Sequence, residues 1–147
     1  MDLHDKQPVL RAGAALPEAR AAMVLVHGRG ATAVSILELA KAVHRPGFAY
    51  LAPQAAEFTW YPNSFMAPIA SNEPWLSSAL RKVGAVVEEI EGAGVAAERI
   101  ILLGFSQGAC LASEVAVRNA RRYGGVVAFS GGVIGPDATP RDDAENV

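Results

Sequence analysis

Four short runs, AAMVLV (residues 21–26), FAYLAP (48–53), IILLG (100–104) and VVAF (126–129), are almost entirely apolar, and segments with helical spacing separate them. A strand with one face in water alternates apolar and polar residues; a strand covered on both faces does not. Runs of this kind in alternation with helices specify a mostly parallel sheet with helices on both faces, joined by right-handed crossovers.

The intervening segments fit that plan. VSILELAKAVH (34–44) aligns Ile36, Leu37, Leu39, Ala40 and Val43 on one side and stops at Pro46-Gly47. A second helix starts behind Asn72 or Glu73 with Pro74, carries a stripe of Leu76, Leu80, Val83, Val86, Val87 and Ile90, and ends at Gly92 and Gly94. A third runs through QGACLASEVAVRNARRYGG to its paired glycines, with Arg118, Arg121 and Arg122 at its end, where cations complement the helix dipole. QPVLRAG (7–13) adds an antiparallel edge strand that leads through LPEAR into the first apolar run.

A chain of 147 residues suits one domain, and 51% hydrophobic against 19% charged residues excludes a disordered chain. With a net charge of −2 and dispersed Lys and Arg, there is no footprint for nucleic acid or an anionic membrane. The apolar runs fall far short of the roughly 20 residues of a membrane span. MDLHDKQPVL is too polar for a signal peptide, so the expected location is cytoplasmic. The single Cys110 has no disulfide partner within the chain and reads as a small buried hydrophobe. Neither a metal nor another cofactor is called for, and self-association into a homo-oligomer stays open.

Two glycine turns follow strands and open helices, the position at which open α/β sheets bind ligands. In GFSQG (104–108) a serine sits between glycines on a strand-to-helix turn, the pattern of a nucleophile elbow. Side chains at Gly104 and Gly108 would collide where strand and helix meet, and the Gln107 amide at the helix's positive end can stabilise an oxyanion. HGRGATA (27–33) reads in two ways. As GxGxxA it is a variant dinucleotide fingerprint, but the next strand ends in Pro53-Gln54 with nothing acidic before Glu57 to hold a ribose. Otherwise its glycines turn the backbone so that the Arg29 amide faces the serine's target. The long segment PQAAEFTWYPNSFMAPIASNEPW (53–75) is marked as a site wall.

LVHGRGAT, LAPQAA, FTWYPNSF, RIILLGFSQGA and AFSGG, in that order, resemble the phospholipase/carboxylesterase branch of the α/β-hydrolases, the group that includes acyl-protein thioesterases. The likeness covers most of residues 21–132. It implies an α/β-hydrolase sheet, Ser106 as the acylated nucleophile, and the amides of Arg29 and Gln107 as the oxyanion hole. It also implies an acyl pocket lined or lidded by Trp60, Tyr61 and Phe65 beside His27, Gly28 and Gly30, and a small-molecule ester or thioester substrate. The same aromatics equally serve to pin the long loop. Many members carry an apolar residue where Arg29 stands; a guanidinium there suits a short, polar or anionic acyl group.

The base is missing. In this fold the acid and then the histidine follow the serine, yet no histidine lies between Ser106 and Val147. Asp137, Asp142 and Asp143 fall in a terminal loop with no strand leading into them. His4 and His44 read as structural or solvent-facing, and His27 belongs to the oxyanion-loop turn. One cause accounts for both the early end of the sheet and the absent triad members: these residues form the N-terminal part of a longer carboxylesterase-like enzyme, a single incomplete domain without its C-terminal strands and helices. The competing expectation is a short protein that keeps the acyl pocket as a non-catalytic binding module.

Overall fold

The computed structural model describes residues 3–136. Five strands form one sheet in the order β1-β3-β2-β4-β5. Strands β2 (Ala21–Val26), β3 (Phe48–Pro53), β4 (Ile100–Phe105) and β5 (Gly125–Phe129) are parallel, and β1 (Val9–Gly13) pairs antiparallel with β3, Val9 opposite Pro53 and Gly13 opposite Ala49. The apolar runs are therefore the strands, and QPVLRAG supplies the expected edge.

Side chains alternate across a strand, so each apolar run feeds two cores. Ala22, Val24, Val26, Ala49, Leu51, Ile100 and Leu102 meet the helices α2 (Trp75–Gly92) and α3 (Gln107–Arg118). Met23, Leu25, Tyr50, Ala52 and Leu103 meet α1 (Ala33–Ala42) through Ala33, Ile36 and Ala40. Helix α1 starts where the sequence says, with Thr32 and Ser35 in a reciprocal capping box that satisfies two helix-terminal donors.

Helix α3 ends earlier than its spacing suggests. It stops at Arg118, with Asn119 at φ −109, ψ 71, instead of running to the paired glycines. The chain has to leave the helix there because Gly124 fastens its N–H to the Ile100 carbonyl at 2.9 Å and Gly125 pairs beside Ile101 in β5. Of the three arginines expected at the helix end, only Arg118 is helical, and it pairs with Glu114; Arg121 reaches instead to Glu91 at 2.6 Å. The segment after β3 holds two short 3₁₀ turns, Ala56–Phe58 and Ile69–Asn72. Side-chain bonds fold it, among them Asn63 N–H to Asn72 Oδ1 at 2.7 Å.

Helix α1 covers the β1, β3 and β2 part of its sheet face. On the same side of β4 and β5, Phe105, Val127 and Phe129 stand in register and are 54%, 36% and 46% exposed. Among the described residues strand β5 is also an edge of the sheet and bears no charge, a combination that invites pairing with another chain. The 147-residue chain is expected to self-associate as concentration rises, and Val127→Lys is expected to weaken that association in sedimentation velocity. An unchanged concentration dependence in the variant would place the contact elsewhere.

Candidate active site

Ser106 occupies the turn between β4 and α3 at φ 55, ψ −115, a region that non-glycine residues adopt only under strain. The surroundings impose it. Ser106 N–H donates to the Phe129 carbonyl at 2.8 Å, and the Ser106 carbonyl accepts from Cys110 at 3.1 Å. A Cβ on Gly104 would stand 2.2 Å from the Gly108 carbonyl oxygen, and one on Gly108 would stand 2.0 Å from that of Val26. Only glycine lets strand, helix and neighbouring strand end approach this closely.

Two further backbones close on the turn. A Cβ on Gly28 would lie 3.6 Å from Ser106 Cβ, and one on Gly131 would lie 2.9 Å from the Ser106 carbonyl oxygen. The ends of β2, β4 and β5 thus converge on one exposed serine. Ser106 stands at the N-cap of α3 without bonding back to the helix, and among the described residues its hydroxyl has no hydrogen-bond partner. The N–H of Gln107, first residue of that helix, has no acceptor within it.

The loop after β2 turns at Gly28–Ala31, where Ala31 N–H donates to the Gly28 carbonyl and Gly30, at φ 76, donates to Phe58 at 2.7 Å. The Arg29 guanidinium donates to the carbonyls of Pro62 (2.9 Å) and Asn63 (3.0 Å). It forms no ion pair among the described residues.

The Gln107 side chain binds the long loop. It is buried, accepts from Trp60 N–H at 2.8 Å and donates to the Tyr61 carbonyl at 2.8 Å and to Thr59 Oγ1 at 3.2 Å. The residue next to the serine therefore holds the long loop onto α3. Trp60 is locked further by its indole N–H, which donates to the His27 carbonyl at 2.8 Å.

The family model for phospholipase/carboxylesterase matches residues 13–146. The chain belongs to this family. The crystal structure of a phospholipase/carboxylesterase from Dyadobacter fermentans is 50% identical, covers 95% of this chain and 66% of its own, and superposes with a TM-score of 0.89. An acyl-protein thioesterase 1 from Eremothecium gossypii is 29% identical over 83% of this chain and 59% of its own length. The fold is also that of an esterase named PE8, with a TM-score of 0.70 at 24% identity, covering 87% of this chain and 64% of that one. This chain thus spans 59% and 66% of the length of the first two of these relatives, the thioesterase and the Dyadobacter enzyme respectively.

Within this phospholipase/carboxylesterase chain, the other residues of the expected site divide clearly. His27, Trp60 and Tyr61 are buried, and their side chains hold the loop wall from behind; Phe65 is half-buried. His27 Nε2 accepts from Ala55 N–H at 3.0 Å while Nδ1–H donates to the Gly28 carbonyl at 2.8 Å, so its lone pair is in use. Burial pushes its pKa below the usual imidazole value, and both ring nitrogens are already bonded to backbone groups. Tyr61 Oη, buried with no oxygen or nitrogen partner among the described residues, is held protonated by burial and by the neighbouring Cys110 thiol. Cys110 itself is buried, as its position predicts. His44 is exposed beside Tyr50, and Asp137, Asp142 and Asp143 lie outside the described residues. Among the described residues no helix is long and apolar enough to cross a membrane.

Gln107→Ala is expected to destabilise the fold by about 1–3 kcal/mol, because it leaves the Trp60 N–H buried without its acceptor, while the Tyr61 carbonyl keeps the Thr59 hydroxyl as a donor at 2.8 Å. Urea denaturation followed by tryptophan fluorescence reads this directly. A loss under about 0.5 kcal/mol would mean that the loop is held elsewhere.

Proposed function

We propose that this chain carries the nucleophile and oxyanion hole of a serine carboxylic-ester hydrolase acting on small esters or thioesters through an acyl-enzyme. The observation that carries the reading is the strained turn at Ser106, exposed at the start of α3 with the Gly28 backbone alongside. Ser106 Oγ attacks the carbonyl carbon and passes its proton to a base. The carbonyl oxygen, now negative, accepts from the N–H groups of Gln107 and Arg29. Collapse expels the alcohol or thiol, which takes the proton back from the base, and water then releases the acid by the same steps.

The base and its acid partner in this reading lie outside the described residues, and the chain spans 59% and 66% of the length of the thioesterase and the Dyadobacter enzyme. A second reading rests on a specific observation: among the described residues no imidazole or carboxylate bonds to Ser106 Oγ. By itself, the chain would then bind acyl groups without turnover. Loss of a triad histidine costs on the order of 10⁶ in turnover, leaving about 10³–10⁴ over water from the oxyanion hole and binding.

The test uses protein from the whole reading frame. A fluorophosphonate is expected to label Ser106, Ser106→Ala to abolish both labelling and p-nitrophenyl ester hydrolysis, and the 147-residue chain to show neither at a comparable rate. Hydrolysis that survives Ser106→Ala would remove the nucleophile assignment. Arg29→Leu is expected to lower the ratio of acidic to neutral ester turnover. An unchanged ratio would remove the preference for anionic acyl groups.

A further inference from the structure

Trp60 lies between two buried imidazoles, its ring centroid 5.2 Å from that of His4 and 5.0 Å from that of His27. Each ring also grips the backbone of the loop after β3. His4 Nδ1 accepts from Ala56 N–H at 2.9 Å and its Nε2–H donates to the Trp60 carbonyl at 2.9 Å. His27 Nε2 accepts from Ala55 N–H at 3.0 Å. Adjacent backbone donors therefore depend on two different imidazole lone pairs, and an imidazolium has no lone pair to offer.

We propose that His4 and His27 form an acid-released clamp on residues 54–61, opening the loop that walls the Ser106 turn when both rings take up protons. The clamp joins distant parts of the chain. His4 comes from the N-terminal segment, which is moored on α2 through His4 N–H to Ser78 Oγ at 3.0 Å and through the Lys82 ammonium on the Asp5 and Gln7 carbonyls. His27 comes from the end of β2.

Burial and the neighbouring positive groups oppose protonation, while the backbone groups bonded to the rings, at Trp60 and Trp75 for His4 and at Gly28 for His27, favour it less strongly. Lys82 is the cation facing His4, the two imidazoles face one another across Trp60, and the ring edge of Trp75 packs 5.6 Å from His4. Ser78 and Gln54, the other polar side chains bonded to this cluster, do not titrate. Asp5 faces Lys82, and among the described residues no carboxylate bonds to either ring. Burial, foremost, holds both imidazole pKa values below 6.5. Opening would return the rings to water and to ordinary values. The closed loop is thus fully favoured above pH 6.5, and its advantage falls as pH drops below that value toward the lowered pKa values of the closed state. With two protons taken up, each pH unit within that window multiplies the open-to-closed ratio by up to about 100.

Trp75→Phe leaves Trp60 as the single tryptophan. In that variant the Trp60 emission is expected to shift red and become accessible to acrylamide as pH falls below 6.5, while far-UV circular dichroism stays native. His4→Gln, whose amide can both accept and donate, is expected to lower the midpoint and reduce the steepness from two protons to one. Emission that stays constant until the circular dichroism collapses would overturn the clamp, as would a midpoint and slope unmoved by His4→Gln. Should that variant not fold, proton NMR of the two histidine rings in the Trp75→Phe protein decides. Both are expected to titrate together with the emission change, and independent titration at pH 6.5 or above without it would overturn the proposal.

Discussion

The close approach of Gly108 to the end of β2 is the contact on which the rest of the site depends. The helix start sits so near the Val26 and His27 carbonyls that a Cβ would be 2.0 and 2.5 Å from them. That proximity forces the chain to reverse between Gly104 and Gly108, and the reversal leaves Ser106 at positive φ with no freedom to relax. The same approach brings Gly28 against the serine, so the loops after two different strands share one surface. A tight sheet-to-helix junction and an exposed, strained serine are one structural event.

The second requirement is a wall, and polar side chains acting from the core build it. Gln107, His4 and His27 hold residues 55–61 through backbone bonds, while Arg29 spans outward to residues 62 and 63. Trp60 and Tyr61 fill the space behind. Buried polar groups are costly unless paired, and here pairing gives a long loop a single conformation. The cost falls on adaptability, since each bond depends on a protonation state or on an amide that few other side chains can replace.

The sheet order and the serine turn were legible because their causes are local. Val24 and Leu25 are apolar in sequence because both faces of β2 are covered, and Gly104 and Gly108 bracket the serine because nothing larger fits. The end of α3 was less legible, since RNARRYGG has helical composition and only the pairing of Gly125 beside Ile101 ends the helix early. His4 gave no local signal at all. It lies in a polar segment, and its partners Ala56 and Trp60 are 52 and 56 residues away. The elbow motif points to the Gln107 amide and carries no signal for its side chain, whose partners Trp60 and Tyr61 are 47 and 46 residues away. Membership of the phospholipase/carboxylesterase family explains the motifs.

The central claim is that backbone contact at Gly108 sets the geometry of the Ser106 turn, and Gly108→Ala tests it most directly. One added methyl would meet the Val26 carbonyl oxygen at 2.0 Å, so urea denaturation should show a loss of about 3 kcal/mol or more, above the usual range for an overpacked core. A variant as stable as the parent, with an unchanged backbone at Ser106, would contradict the account.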